Sequence, residues 1–221
     1  MARLKVGVLI SGRGSNLAAL LDACARPDYP AHIVHVVSNR PDAGGLDHAR
    51  AHGVATTVID HRGFADRAAF DAAMEAVLVR AGVDLICLAG FMRLLSPGFV
   101  GRWAGSLINI HPSLLPAFKG LDPHGQALAA GVRLSGASVH FVTAETDAGP
   151  IIAQAAVPVL ASDGPSDLAA RILAAEHVLY PHALALVASG AVVWRNGAAA
   201  WNGDAVPPAP LVWPPTAGWR G

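Results

Sequence analysis

An asparagine and a histidine stand two residues apart in Leu107-Ile108-Asn109-Ile110-His111-Pro112-Ser113-Leu114-Leu115-Pro116, at the end of an apolar run that Pro112 stops. In a β-strand, residues i and i+2 point to one face, so Asn109 and His111 can converge on one bound atom. A neutral carboxamide beside a titratable ring suits acyl transfer. One group polarises a carbonyl, and the other moves a proton. A lone histidine at a strand end can equally be a structural hydrogen-bonder, and for His111 by itself that alternative stays open.

A second chemical feature is Ile10-Ser11-Gly12-Arg13-Gly14-Ser15-Asn16-Leu17, a glycine-rich turn between a strand pattern and a helix pattern. Backbone N–H groups at such a helix start form an anion site, to which Ser15 or Asn16 can add a cap and further donors. The dinucleotide fingerprint requires glycine where Leu17 stands and an acid where Ser38-Asn39 ends the next strand. Walker A fails as well, because no Lys-Ser or Lys-Thr follows. A single phosphate monoester fits this turn better than NAD or ATP; the plain alternative is a tight strand–helix turn.

Three further groups complete the candidates. Gly90-Phe91-Met92-Arg93-Leu94-Leu95 leaves the end of a buried strand, the ligand side of an open α/β sheet. Met92, Leu94 and Leu95 can form an apolar slot for a flat ring and Arg93 can meet a carboxylate, with core packing as the alternative. Asp147, in a turn with Gly149 and Pro150, would raise the imidazole pKa of His111 and orient its ring if the two met; otherwise it is an Asx-type turn residue. Glu176 lies in a long helix pattern and can bind an amine. Metal sites are weak: His48 and His52 share a helix face without a third ligand, and no cysteine pair or H-E-x-x-H occurs.

The elements that must hold these groups alternate. Leu4–Ile10, His32–Ser38, Val54–Ile59, Asp84–Ala89 and Leu107–His111 read as strands. Between them, Asn16–Ala25, Ala43–His52 and Phe64–Ala81 read as helices, with a short turn near Pro97–Trp103. This alternation predicts an α/β fold, a mainly parallel twisted sheet flanked by helices. Gly136–Val142 and Ile151–Pro158 add antiparallel strands, and Pro165–Ser189 is a long helix. Asn196-Gly197 joins Ala191–Arg195 to Ala198–Trp201 as a hairpin.

The expectation is one domain over residues 1–205, with a proline-rich tail over 206–221 that is extended or poorly ordered. Of 221 residues, 53% are hydrophobic and 14% charged, enough apolar content for a full core. Sixteen basic residues balance sixteen acidic ones, so no global field favours nucleic acid or an anionic membrane. Cys24 and Cys87 sit in apolar segments and read as buried thiols. No signal peptide and no apolar run of membrane-spanning length is visible, which predicts a cytoplasmic protein.

Taken in order, Ser11-Gly12-x-Gly14-Ser15-Asn16, Gly90-Phe91-Met92-Arg93, Asn109-x-His111-Pro112-Ser113-Leu114-Leu115-Pro116 and Asp147-x-Gly149-Pro150-Ile151 resemble the phosphoribosylglycinamide formyltransferases, or GAR transformylases. These are folate-dependent formyltransferases of purine synthesis, and the resemblance runs from about Val6 to Trp201. It implies a Rossmann-like formyltransferase fold and transfer of a formyl group from 10-formyltetrahydrofolate, as co-substrate, to the glycyl amine of glycinamide ribonucleotide. By the same resemblance, Gly14, Ser15 and Asn16 hold the ribonucleotide phosphate and Glu176 contacts the glycinamide end. Arg67, Met92, Arg93, Leu94, Leu95 and Asn109 line the folate site, with Thr143, Ala144, Glu145, Thr146 and Asp147 as the loop over the pterin.

Asn109, His111 and Asp147 match the family's catalytic trio. The resemblance further implies small-molecule substrates only, with no metal, nucleic acid or membrane, in a monomer or homodimer. It departs at Asp122, Pro123 and Gly125, where many relatives carry histidine or threonine and then arginine; His124 matches. Methionyl-tRNA formyltransferases would add a C-terminal domain and a basic surface, and formyltetrahydrofolate hydrolases a domain ahead of a core that here starts at Leu4. A non-catalytic binder of folate or sugar phosphate is the reading from a different class.

Overall fold

The computed structural model describes residues 2–202, so the tail expected over 206–221 and the boundary at 205 lie outside the described residues. The chain runs β1 (Leu4–Ile10), α1 (Ser15–Ala25), β2 (Ala31–Ser38), α2 (Gly45–Ala51), β3 (Ala55–Val58), a 3-10 turn (His61–Gly63), α3 (Arg67–Arg80) and β4 (Leu85–Leu88). It continues through α4 (Pro97–Arg102), β5 (Leu107–His111), α5 (Pro123–Ala129), β6 (Leu134–Phe141), β7 (Ile151–Pro158) and α6 (Pro165–Ala188) to a hairpin of β8 (Val192–Arg195) and β9 (Ala198–Trp201).

Seven strands form one sheet in the order β3-β2-β1-β4-β5-β6-β7, and β8 pairs with β9 separately. Pairing is parallel from β3 through β5 and antiparallel for β5–β6 and β6–β7. The mainly parallel sheet with added antiparallel strands is therefore as the sequence predicts. The strand order reverses between β1 and β4. A crevice opens there beyond the carboxyl ends of the strands, where open α/β sheets bind ligands.

Alternation along the central strands sorts side chains onto two cores. Val6, Val8 and Ile10 of β1, Leu85 and Cys87 of β4, and Ile108 and Ile110 of β5 pack on the side of α1 and α6. Leu9, Ile86, Leu88 and Leu107 pack on the opposite side with α3 and α4. The period of two then sends Asn109 and His111 to the face of Leu107. From the other face, the buried Tyr180 of α6 ties two strands at their ends: its hydroxyl donates to Leu88 O at 2.9 Å and Ile108 O at 3.3 Å. Cys24 and Cys87 are free and buried, and burial pushes the Cys24 thiol up to about 12.

Three local expectations differ from the structure. The helix predicted from Phe64 starts at Arg67, because the Asp66 carboxylate caps it by accepting the Ala69 N–H at 2.8 Å. A helix over Pro123–Ala129 falls in a stretch to which the sequence reading assigns no element. Asp122 caps it by accepting the Gly125 N–H at 3.1 Å, and Pro123 occupies its first turn. Neither Ser15 nor Asn16 caps α1: the cap residue is Gly14, with φ 78°, and no side chain closes that end. Gly14 also touches α2 so closely that a Cβ there would collide with the Gly45 backbone.

Candidate active site

His111 ends β5 and is buried, with a different acceptor at each ring nitrogen. Its Nδ1 lies 3.3 Å from Asp147 Oδ2 and its Nε2 lies 2.9 Å from the Phe118 carbonyl oxygen. The Phe118 carbonyl only accepts, so Nε2 carries a proton, while Nδ1 faces the carboxylate in an ion-pair contact. Asp147 reaches this position from the turn between β6 and β7. Its own φ of 50° is a left-handed value that aspartate tolerates better than most residues. Two positions on, Gly149 passes so near β6 that a Cβ would run into the Phe141 carbonyl, so glycine alone lets the turn close.

Burial by itself would push the Asp147 carboxyl up. Its contact with the His140 ring, the Gly120 N–H at 3.0 Å and the nearby His111 outweigh that and hold it below its ordinary value.

His140 is the site residue that sequence reasoning missed. It pairs with Asn109 across the antiparallel β5–β6 register. Its Nε2 stands 3.3 Å from Asn109 Nδ2 and 3.7 Å from Asp147 Oδ1, and its Nδ1 is 2.9 Å from Phe141 O. Because a carbonyl only accepts, Nδ1 carries a proton there. Nε2 stands between the Asn109 amide and the Asp147 carboxylate, and the Asn109 amide keeps a hydrogen for a ligand. Its signal was a polar residue within a strand whose neighbours are apolar.

The chain beyond His111 is also pinned. Ser138 Oγ accepts the Leu115 N–H at 3.0 Å and donates to Ser113 O at 2.7 Å, and Gln154 Nε2 donates to Leu115 O at 3.0 Å.

Two clefts open beside this pair. The first is lined by Arg13, Pro112, His124 and residues of α6 that include Glu176. Gly14, Ser15 and Asn16 form the start of α1 on the same side, where the first-turn N–H groups have no acceptor within the helix. Glu176 is buried and its Oε2 accepts from Asn16 Nδ2 at 2.7 Å. Burial raises the Glu176 carboxyl, an effect that the Asn16 amide partly offsets. The arrangement offers donors to an anion at one end and a carboxylate to an amine at the other.

The second cleft is lined by Leu88, Phe91, Arg93, Leu94, Leu95, Val100, Asn109, His140, Val142 and the run Thr143, Ala144, Glu145, Thr146 and Asp147. Met92 is the exception: its side chain is 73% exposed and outside the lining, while its N–H donates to Ser11 Oγ at 2.8 Å. Asp71, also missed in the sequence, anchors the far end of the same segment by accepting the Ser96 N–H at 2.6 Å. Arg67 lines an adjoining cleft with Arg93 and Leu94. The second cleft therefore joins apolar residues such as Phe91, Leu94, Leu95 and Val142 to Asn109 and Asp147, with Arg93 in its lining and Arg67 in the cleft beside it.

The sequence and the fold have counterparts among known proteins. The family model described as formyl transferase matches residues 4–184. Phosphoribosylglycinamide formyltransferase of Escherichia coli is 45% identical over 205 residues, covering 93% of this chain and 97% of that protein. The trifunctional purine biosynthetic protein adenosine-3 of Bos taurus is 52% identical over 200 residues, and the chain spans only 20% of its length. The crystal structure of glycinamide ribonucleotide transformylase 1 from Symbiobacterium toebii superposes with a TM-score of 0.87 at 48% identity, covering 90% of this chain and 94% of that one. On these matches, the chain belongs to the formyl transferase family.

Proposed function

We propose that this protein transfers the formyl group of 10-formyltetrahydrofolate to the glycyl amine of N1-(5-phosphoribosyl)glycinamide, giving the N-formyl product and tetrahydrofolate in de novo purine synthesis. The observation that carries this reading is that Asn109 and Asp147 line one cleft while Pro112, next to His111, lines a second cleft of different chemistry. The second has an anion-binding turn and a buried carboxylate; the first is an apolar slot with Arg93 in its lining and Arg67 in the cleft beside it.

In this reading Gly14, Ser15 and Asn16 hold the ribonucleotide phosphate, and Glu176 orients the glycinamide end. Leu94, Leu95 and the run Thr143–Asp147 enclose the pterin, the Met92 main chain serves the wall, and Arg67 and Arg93 face the donor's carboxylate tail. The amine nitrogen attacks the formyl carbon and forms the new C–N bond. The carbonyl oxygen becomes an oxyanion, which the free Asn109 amide hydrogen and the His111 Nε2–H stabilise; the ligand oxygen takes the place of the Phe118 carbonyl. One such donor is worth about 3–4 kcal/mol. The bond to the folate nitrogen then breaks, with a proton passing from the attacking amine to that nitrogen through water.

Asp147 keeps His111 oriented and its charge balanced throughout. No step of this route needs a metal. We read the protein as a cytoplasmic enzyme of two small-molecule substrates, monomeric or homodimeric.

The test is formyl transfer from 10-formyltetrahydrofolate to glycinamide ribonucleotide by the purified protein, with product followed by mass. Release of formate at the same rate with and without acceptor, and no formylated product, would replace transfer by hydrolysis.

A further inference from the structure

One polar chain that the reaction does not use ends in a cleft. The Met92 N–H donates to Ser11 Oγ at 2.8 Å, Ser11 Oγ donates to Asn39 Oδ1 at 2.6 Å, and Asn39 Nδ2 faces His61 Nδ1 at 3.2 Å. Ser11 and Asn39 are buried, so their polar groups need partners. With the Met92 N–H fixed as a donor, the Ser11 hydroxyl hydrogen goes to Asn39 Oδ1. That orientation turns the Asn39 amide hydrogens toward His61. A neutral imidazole that accepts at Nδ1 carries its proton on Nε2.

The His61 ring is 26% exposed and lines the cleft that Arg67 and Arg93 share. It sits edge-on to Phe70, with centroids 6.2 Å apart, which sets its plane. Neither Arg67 nor Arg93 forms an ion pair among the described residues. Asp66 also lines this cleft, but its carboxylate is engaged by the Ala69 N–H at the start of α3. His61 also borders a second cleft, where its Nδ1 lies 3.8 Å from Asp60 Oδ1 and where Arg40 and Arg62 are each paired, with Asp42 at 2.8 Å and Asp60 at 2.6 Å. The unspent positive charge thus lies on the Arg67–Arg93 side.

We propose that His61 is a specificity-determining residue whose Nε2–H joins Arg67 and Arg93 in taking the terminal carboxylate of the formyl donor's acidic tail. This rests on the folate reading above. A carboxylate offers about four lone-pair positions, which suits two planar guanidinium groups and one fixed N–H donor. The tail end lies away from the reacting carbon, so His61 acts on donor selection and not on the chemical step.

The experiment compares two donors, 10-formyltetrahydrofolate and the primary amide of 10-formyltetrahydropteroic acid, which keeps the pterin and the benzoyl amide but carries no tail carboxylate. The readout is the ratio of their kcat/KM values. His61→Leu is expected to lower that ratio about tenfold, the scale of one hydrogen bond to a charged group, and His61→Gln to recover most of it. His61→Ala is measured alongside, so a leucine variant that does not fold leaves the comparison intact. A ratio equal to the native one in the leucine and alanine variants overturns the proposal, as does a ratio that falls in His61→Gln as far as in His61→Leu. Native protein that formylates glycinamide ribonucleotide from neither donor overturns the folate reading itself, a different outcome from a flat ratio.

Discussion

Asp147 Oδ2 stands 3.3 Å from His111 Nδ1, and the same oxygen accepts the Gly120 N–H at 3.0 Å. One carboxylate oxygen thus joins the turn after β6 to the end of β5 and to the segment that follows Pro116. A ring held at Nδ1 by a half-buried acid can offer Nε2 to a substrate without rotating, which is the preorganisation an oxyanion donor requires. His140 stands against both Asp147 and Asn109, 3.7 Å from Asp147 Oδ1 and 3.3 Å from Asn109 Nδ2.

Asp147→Asn keeps the shape of this contact and removes its charge. Turnover is expected to fall at least about 100-fold, while KM for the ribonucleotide changes little, because the interaction lost is one made to the reacting centre. Steady-state kinetics with each substrate varied in turn measures the split. Native turnover in the variant would take Asp147 out of the reaction.

The same carboxylate gives stability a defined pH dependence. Its folded pKa lies below the ordinary value of 3.8, so it contributes stability that is fully present above that value. The contribution is lost as pH falls through the depressed folded value. Urea unfolding of the native protein and Asp147→Asn should therefore show the widest gap near neutrality and a narrowing gap below pH 3.8. A gap that widens toward acid contradicts the assignment.

How much of this was legible in the sequence follows from where the information lies. Asn109 and His111 are joined by strand period alone, so their convergence could be read from a decapeptide. The parallel core was legible for the same reason, since β1, β4 and β5 are runs of apolar residues long enough for strands and too short for helices. Asp147 was recognisable only by type, because its contact with His111 depends on how far β6 and β7 extend before the chain turns. His140 was hidden because antiparallel register decides which β6 residue faces Asn109, and β5 and β6 are joined through α5 and not by a hairpin turn that would fix the register.

Met92 was read as part of the slot on apolarity, yet a loop has no period to say which side chains face inward; its N–H faces Ser11 instead. Asp122-Pro123 carried a helix-start signal for α5 that a reading focused on substrate contacts passed over.

Gly149→Ala tests whether the turn that carries Asp147 tolerates any side chain. A Cβ there meets the Phe141 carbonyl, backbone against backbone, which no rotamer relieves. We expect a loss of about 2–3 kcal/mol, the range of overpacked sites, together with reduced turnover as Asp147 is displaced. Thermal and urea unfolding measure the first and kinetics the second. Native stability in the variant would show that the turn can shift without cost.

Glu176→Gln separates stability from function. Burial raises the Glu176 carboxyl above its ordinary value of 4.5, so its ionised form costs the fold stability at any higher pH. The penalty is absent below 4.5 and grows as pH rises toward the folded pKa. Glutamine has the same shape and still offers an oxygen to Asn16 Nδ2, so the contact at 2.7 Å survives while the buried charge goes. The variant should therefore unfold at higher urea than the native protein at pH 7 and match it near pH 4. Its KM for the ribonucleotide should rise about tenfold, since a neutral amide orients an amine less strongly than a carboxylate does. A buried charge kept against its effect on stability marks a group selected for binding. Lower stability of Glu176→Gln at pH 7, or an unchanged KM, would leave Glu176 as a structural partner of Asn16 alone.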